Sequence, residues 1–289
     1  MSAITFPALG LELNPPRGFT IPGTEFTIYF YGVIIALGLV LSVIYGLRRS
    51  HEFGLKQDDI LDGVLWIVPL SIICARAYYV IFEIEQYKTF ADVINIRKGG
   101  LAIYGGVIGA ALGVIIFAKV KKVSLPAVLD LVAISFLIGQ SIGRWGNFIN
   151  REAYGAPTES FLRMGLVVDG EQGYYHPTFL YESVWNAIGF VLLHFLSKKR
   201  QYNGQMALGY AAWYGLGRAV IEGLRMDSLY WGPFRVSQLL AAVSCMAAVV
   251  TLLILNIHKP KQKKLWAESA LETEPAEEIA EEVNIEESN

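Results

Sequence analysis

The sequence predicts an all-α, polytopic membrane protein with about seven transmembrane helices, and two observations carry this prediction. First, 54% of the 289 residues are hydrophobic and only 17% are charged, whereas soluble globular proteins carry about 25% charged residues. Second, the chain contains seven long apolar segments. The composition argues against a cytosolic enzyme, and it excludes a disulfide scaffold and a disordered body.

Each apolar segment has the length of a membrane-spanning helix, since a hydrocarbon core about 30 Å thick needs roughly 17–25 helical residues. The segments do not alternate in polarity, and an open strand would leave its backbone groups without partners in lipid. Helices are therefore expected. In chain order the predicted spans are 28–47, 60–82, 101–118, 127–143, 179–197, 205–222 and 236–257.

Lys and Arg residues are concentrated in every second connection and in the flank that follows the last span. The thirteen residues of this group are Arg48, Arg49, Lys56, Lys119, Lys121, Lys122, Lys198, Lys199, Arg200, Lys259, Lys261, Lys263 and Lys264. The other connections carry fewer basic residues over longer stretches. Because positively charged loops stay in the cytoplasm, we expect the N-terminus outside and the C-terminus in the cytoplasm.

The two ends of the chain differ in character from its apolar body. Residues 1–27 carry four prolines and lack the basic start of a signal peptide, so they are expected to form an external arm. A second external segment is expected at about 144–178. Residues 268–289 contain nine Glu and no Lys or Arg, which is typical of a disordered cytoplasmic tail. The membrane domain is therefore predicted to be 1–267.

Small residues recur at intervals of four in two predicted spans. Gly105, Gly109 and Gly113 have this spacing in the third span, and Ser135, Gly139 and Gly143 have it in the fourth. Small residues at such intervals let helix backbones approach closely in lipid. We expect these positions to be helix packing sites.

Ionisable residues inside membrane helices are energetically costly and indicate function. In the predicted orientation, six of them lie in the outer half of the membrane: Arg76, Arg144, Glu182, Arg218, Glu222 and Arg225. Four arginines favour an anionic ligand, because a guanidinium binds phosphate through two parallel hydrogen bonds. A second interpretation is that Arg76 and Arg218 pair with the two glutamates and hold helices together.

Two dense polar motifs flank the predicted external segment. GRWGNFINREAYG at 143–155 ends the fourth span at Arg144 with polar and flexible residues, a poor helix end unless it lines a site. HPTFLYE at 176–182 opens the fifth span, with Pro177 near the helix start. His176 could act as a base near neutral pH. The sequence shows no pattern of a covalent nucleophile or a metal site, so no cofactor is expected and the substrates must bring the nucleophile.

These motifs resemble those of the prolipoprotein diacylglyceryl transferase family. The family signature GRxGNFxNxExxG is matched in full by residues 143–155. HPTFLYE, YGGVIG at 104–109 and YGLGRAVIEGLR at 214–225 also resemble the family. The resemblance runs over roughly residues 25–258, and it implies the same seven-span layout with an external N-terminus.

The resemblance implies transfer of the diacylglyceryl group of phosphatidylglycerol to the lipobox cysteine of a prolipoprotein signal peptide, with release of glycerol 1-phosphate. It places the protein in a bacterial cell membrane, with its site toward the outer leaflet. The expected partners are phosphatidylglycerol, the signal peptide and the lipid bilayer, without nucleic acid.

The resemblance, together with the charge pattern, nominates site residues. The residues expected to take part in catalysis are Arg144, Arg225, Tyr104, Glu152 and His176. Those expected to bind substrate are Arg144, Asn147, Asn150, Gly155, Arg218 and Glu222. The thiol proton could pass to Tyr104, His176 or Glu152. Tyr104 stands where many members of the family have His, and a tyrosine with a pKa near 10 is a poor base at neutral pH.

The arginines within the membrane are also compatible with a different class of function, a transporter or flippase for an anionic lipid or metabolite. Many transporters carry internal repeats and bind their substrate near the membrane midplane. The sequence shows no such repeat, and its polar cluster lies on one side.

Overall fold

Seven long helices form most of the protein in a computed structural model that describes residues 3–24, 26–87, 89–96, 99–226 and 228–258. They lie at the seven predicted positions, and a short helix, α3 (Phe90–Ile94), lies between the second and the third. The long helices are α1 (Phe30–Arg49), α2 (Gln57–Phe82), α4 (Ile103–Lys121), α5 (Leu125–Asn150), α6 (Thr178–Ser197), α7 (Gln205–Glu222) and α8 (Val236–His258).

Within the described residues, six of these helices are long and apolar enough to cross a membrane. Helix α7 is the long helix that is not among them, and it contains Arg218 and Glu222. The protein is thus a mostly helical polytopic membrane protein, and the seventh span stays a prediction.

The chain is mostly helical, as expected, and its described residues also contain three small antiparallel sheets that the sequence did not predict. The strands are β1 (Ile4–Phe6), β2 (Leu11–Leu13), β3 (Gly18–Thr20), β4 (Thr27–Tyr29), β5 (Met164–Val168), β6 (Glu171–Tyr175), β7 (Tyr230–Trp231) and β8 (Phe234–Arg235). The largest sheet has the strand order β2-β1-β5-β6, and the other two pair β3 with β4 and β7 with β8.

The four-stranded sheet joins two segments that are far apart in sequence. Thr5 of β1 lies opposite Gly165 of β5, and the inner face of the sheet forms a small apolar core against the end of α5 and the start of α6. Its buried members are Ile4, Phe6, Phe148, Met164, Leu166 and Phe179. This core fixes the helix ends that carry the two polar motifs.

The described chain divides into two compact units. The first contains the described residues of 3–44 and 132–258, and the second contains those of 45–131. Residues 259–289, which include the predicted acidic tail, lie outside the described residues.

Close contact between α2 and α4 holds the second unit together, and glycines make it possible. A Cβ atom added to Gly105 would collide with Cys74 and lie 2.5 Å from Tyr78 Cβ, and one added to Gly109 would lie 2.7 Å from Cys74 Cβ. In the first unit, a Cβ on Gly38 of α1 would lie 3.3 Å from Gly139 of α5. The predicted packing role of the spaced glycines is confirmed at these contacts.

We expect Gly105→Ala to destabilise the protein by about 1–3 kcal/mol, the usual effect of an extra methyl group in a closely packed contact. Gly106→Ala is the matched control, because a Cβ there meets its nearest neighbour at an ordinary 3.7 Å. Thermal unfolding of the two purified variants in detergent measures the difference. Equal midpoints would contradict a close packing role for Gly105.

The interpretation of Arg76 as an anion site or as a partner of a glutamate is wrong. Its guanidinium has five N–H donors, and all five bind backbone carbonyl oxygens of the second unit. The acceptors are Asp92, Val93, Asn95, Gly99 and Gly100, at 2.7–3.2 Å. The guanidinium also lies 4.9 Å from the centre of the Tyr87 ring. Arg76 therefore organises the segment between α2 and α4.

Candidate active site

A cluster of three arginines around two buried glutamates lies where α5, α6 and α7 meet. The carboxylate of Glu182, in the first turns of α6, accepts from Arg144 at 2.5 Å, Arg218 at 3.0 Å and Arg225 at 3.2 Å. Arg218 also binds Glu222 at 2.6 Å, and Arg225 lies 3.9 Å from Glu222. Residues from three separate segments of the sequence thus form one ion-pair network.

The charges of this network do not cancel. Three guanidinium groups face two carboxylates, so the cluster carries one net positive charge. The side chains of Glu182 and Glu222 are only 4% and 2% exposed, whereas Arg144 is 22% exposed. A buried charge without full compensation attracts a counter-ion strongly. The expected pairing of Arg218 with glutamates is confirmed, and the excess charge suits an additional anion beside Arg144.

Helix α5 does not end at Arg144, as the sequence predicted, but continues to Asn150. The last two turns are amphipathic: Trp145 and Phe148 pack against Phe179 of α6, with ring centres 5.4 and 4.8 Å away. Arg144 and Asn147, three residues apart, lie on a different face. The polar composition that suggested a helix end reflects a helix face that lines the site.

A chain of hydrogen bonds extends from Arg144 along the end of α5. Arg144 Nη1 donates to Asn147 Oδ1 at 3.4 Å, and Asn147 Nδ2 donates to Glu152 Oε1 at 2.9 Å. Asn150 Nδ2 donates to the same carboxylate oxygen at 3.4 Å. Glu152 itself is exposed. The structure therefore places Arg144, Asn147, Asn150 and Glu152 in one connected group.

Gly155 and His176 connect this group to Arg225 through the backbone. Gly155 N–H donates to the His176 carbonyl at 2.9 Å, and Gly155 forms an isolated antiparallel bridge with Arg225. A Cβ on Gly155 would lie 2.7 Å from His176 Cβ. Gly155 thus has a packing role. The side chain of His176 has a separate contact, in which its Nδ1 lies 3.3 Å from the Tyr181 hydroxyl.

Tyr31 of α1 also lies at this site, although the sequence did not indicate it. A Cβ on Gly146 would lie 2.6 Å from Tyr31 Cδ2, so the glycine lets the tyrosine ring pack directly on α5. The Tyr31 hydroxyl lies within range of the charges of both Glu152 and Arg144. The glycine of the motif was a signal for a close neighbour, but the sequence does not identify that neighbour.

Two tryptophans, which the sequence also did not indicate, pack α6 against α7. The rings of Trp185 and Trp213 stack with centres 4.2 Å apart, and each indole N–H donates to the backbone carbonyl of the other residue at 3.0 Å. Gly189 and Gly217 leave room for the two rings. Because Trp185 is three residues from Glu182, the pair also fixes the position of Glu182 relative to Arg218.

Tyr104 belongs to the second unit, in the first turn of α4. Its ring centre lies 6.5 Å from that of Tyr78, and about half of its side chain is exposed. All the other nominated residues lie in the first unit.

Comparisons with known proteins agree with the resemblance seen in the motifs. A family model described as prolipoprotein diacylglyceryl transferase matches residues 16–254. Similar proteins include the phosphatidylglycerol–prolipoprotein diacylglyceryl transferase of Listeria monocytogenes serotype 4a, 44% identical over 83% of this chain and 90% of the relative. Transferase 1 of Clostridium perfringens is 44% identical over 83% of this chain and 95% of the relative. The enzyme of Enterococcus faecalis is 44% identical over 82% of this chain and 92% of the relative. The chain belongs to the prolipoprotein diacylglyceryl transferase family.

Proposed function

We propose that the protein transfers the diacylglyceryl group of phosphatidylglycerol to the lipobox cysteine thiol of prolipoprotein signal peptides, and releases glycerol 1-phosphate. One observation carries the proposal: three arginines converge on Glu182 with one positive charge in excess, and the most exposed of them, Arg144, lies within the family signature. The names of the similar proteins support both substrates.

The reaction requires two changes of bonding at one glyceryl carbon. The substrate sulfur forms a bond to this carbon, while the bond from the carbon to the phosphate oxygen breaks and the phosphate keeps the electron pair. Arg144 binds the phosphate and stabilises the charge that develops on the leaving oxygen. The positive field of the arginines also lowers the pKa of an incoming thiol and favours its thiolate.

Glu152 is our choice of proton acceptor for the thiol. Glu182 and Glu222 are buried and each is bound by arginines, whereas Glu152 is exposed and accepts hydrogen bonds from the side-chain amides of Asn147 and Asn150.

Glu152→Gln keeps the shape of the side chain and removes its ability to accept a proton. We expect it to slow transfer about 100-fold, the lower range for general base catalysis, without loss of folded protein. A His176→Asn variant that lost more activity than Glu152→Gln would contradict this assignment.

The site is proposed to face the outer leaflet of a bacterial cell membrane, with the N-terminus outside and the C-terminus in the cytoplasm. The distribution of Lys and Arg between alternate connections supports this orientation. A transporter is disfavoured, because family membership points to an enzyme and the cluster lies near helix ends, whereas alternating access uses a site near the midplane.

The deciding experiment incubates the purified protein with phosphatidylglycerol vesicles and a synthetic peptide with a lipobox cysteine. We expect the peptide to gain the mass of one diacylglyceryl group, with one glycerol phosphate released for each modified peptide. A peptide with Ser in place of the Cys is the control. Movement of phosphatidylglycerol between leaflets with an unmodified Cys peptide would favour transport and overturn the proposal.

Tyr104→Phe is expected to reduce turnover by less than Arg144→Ala does. A hydroxyl that positions substrate contributes one hydrogen bond, worth roughly 0.5–1.5 kcal/mol, or about a two- to tenfold change in rate. The measurement is peptide lipidation at equal amounts of folded enzyme. If the phenylalanine variant were as inactive as the alanine variant, Tyr104 would have an acid–base role.

A further inference from the structure

A second layer of polar side chains lies one helical turn from the arginine cluster, toward the middle of the same helices. Gln140 precedes Arg144 by four residues, Asn186 follows Glu182 by four, and Tyr214 precedes Arg218 by four. Residues four apart lie on one face of a helix, about 6 Å apart along its axis. Arg144, Glu182 and Arg218 therefore each have a polar residue one helical turn further from the helix end.

The contacts between the helices put these three polar residues at similar depth. Phe148 of α5 meets Phe179 of α6, and Ser141 further back on α5 meets Ser183 further along α6, so the two helices are antiparallel. Gln140, four residues inward from Arg144, and Asn186, four residues inward from Glu182, therefore lie at a similar level along the two helices.

Helix α7 reaches the same layer through its tyrosines. Gln140 Nε2 donates to the Tyr210 hydroxyl at 3.0 Å. The Tyr210 ring stacks on Tyr214 with centres 5.5 Å apart and planes 7° apart. The layer is therefore continuous from α5 to α7.

Two buried polar atoms of this layer have no hydrogen-bond partner among the described residues. They are Nδ2 of Asn186, whose residue is 1% exposed, and Oε1 of Gln140. A buried polar group without a partner costs about 1–3 kcal/mol, so its presence suggests a ligand. The Tyr210 hydroxyl can donate as well as accept, so the Gln140 amide can present either its oxygen or its nitrogen to the layer.

The ester groups of a phospholipid have the depth and the hydrogen-bonding chemistry to bind these side-chain amides. When the phosphate lies at the arginine cluster, the acyl chains run toward the middle of the membrane, and the ester carbonyls lie between the two. These carbonyls accept hydrogen bonds, and the side-chain amides supply N–H donors at that level.

We propose that Asn186 and Gln140 form a subsite for the ester carbonyl oxygens of the diacylglyceryl group, so that the enzyme distinguishes ester-linked from ether-linked lipids. This inference rests on the proposed function and extends it inward from the phosphate. Ether lipids keep the glycerol phosphate and the reacting carbon, and they lack the carbonyl acceptors.

The test compares transfer from ester-linked phosphatidylglycerol and from its dialkyl ether analogue, at matched chain length, to the same lipobox peptide. We expect the wild-type enzyme to prefer the ester about two- to tenfold in kcat/KM, the effect of one or two hydrogen bonds. Asn186→Leu should lose most of this preference by slowing transfer from the ester, with transfer from the ether little changed.

Stability separates binding from a structural role. Replacing an unpartnered buried amide by an apolar side chain of similar size is neutral or stabilising, so Asn186→Leu should unfold at or above the wild-type temperature. Gln140→Leu is a second variant with the same expected change in lipid preference. Thr251→Val in α8, whose hydroxyl binds the Ala247 carbonyl of its own helix, is the control and should keep the ester preference.

Three results would overturn the inference. The wild type could use both lipids equally, both leucine variants could retain the full preference, or both could lose stability and use the two lipids equally poorly. The first two results would leave a bound water as the partner of the amides. If the wild-type enzyme modified the peptide with neither lipid, the proposed transferase function itself would fail, and the two failures are therefore distinguishable.

Discussion

Arg144→Ala is expected to abolish diacylglyceryl transfer to a lipobox peptide, and Arg144→Lys is expected to lose most of it. Arg144 reaches Glu182 with Nη2 and Asn147 with Nη1, and it is the most exposed arginine of the cluster. A guanidinium can keep one such contact and still present a planar pair of N–H donors to a phosphate. Lysine keeps the charge, but as a single point without this geometry.

The measurement is peptide lipidation at matched amounts of folded protein in the membrane. Arg163→Ala is the control in the same unit, because Arg163 binds the Glu159 carbonyl and lies over the Tyr174 ring, away from the cluster. An active alanine variant would remove Arg144 from the site. Near-normal activity of the lysine variant would show that charge alone is sufficient.

Glu182→Gln is expected to have the largest effect on stability, a loss of about 3–5 kcal/mol, the usual result when one partner of a buried ion pair is removed. The glutamine would leave three guanidinium groups with a single buried carboxylate, that of Glu222. Their mutual repulsion should separate α5 from α6 and α7, so activity should fall with stability.

Asp62→Asn is the matched control for this prediction. Asp62 also pairs with a cation, Lys121, but the two side chains are 39% and 36% exposed, and exposed pairs contribute about 0–1 kcal/mol. Thermal unfolding in detergent and protein abundance in the membrane compare the two variants. A Glu182→Gln protein with the unfolding temperature of the wild type would show that the arginines do not need this carboxylate.

The positions of the seven long helices followed from the sequence, because a run of about 20 apolar residues depends only on local composition. The small sheets did not follow in this way. Thr5 pairs with Gly165 across about 160 residues, and strands of two to five residues carry too weak a local pattern to identify such partners. For the same reason the sequence did not identify Tyr31 as the neighbour of Gly146.

The site was predicted in part. The signature residues and the glutamates were nominated from the motifs and from the cost of charge in lipid, and the structure brings Arg144, Arg218 and Arg225 together on Glu182. Arg76 looked equivalent in the sequence, since it is also an arginine in an apolar span. Its five backbone partners lie 16–24 residues away, in the short helix α3 and the residues that follow it, and no local sequence pattern identifies them.

By itself the sequence therefore determined that this chain is a helical membrane protein of the diacylglyceryl transferase family, where its long helices lie, and which residues are chemically able to bind a phosphate. Only the tertiary structure decided which arginines share a carboxylate, that helix α5 continues into the signature motif as far as Asn150, and which buried amide atoms lack a partner among the described residues. The physical reason is that helix formation and hydropathy are local properties of the chain. Ion pairing and hydrogen-bond satisfaction depend on which helix faces meet, and residues far apart in the sequence determine those faces.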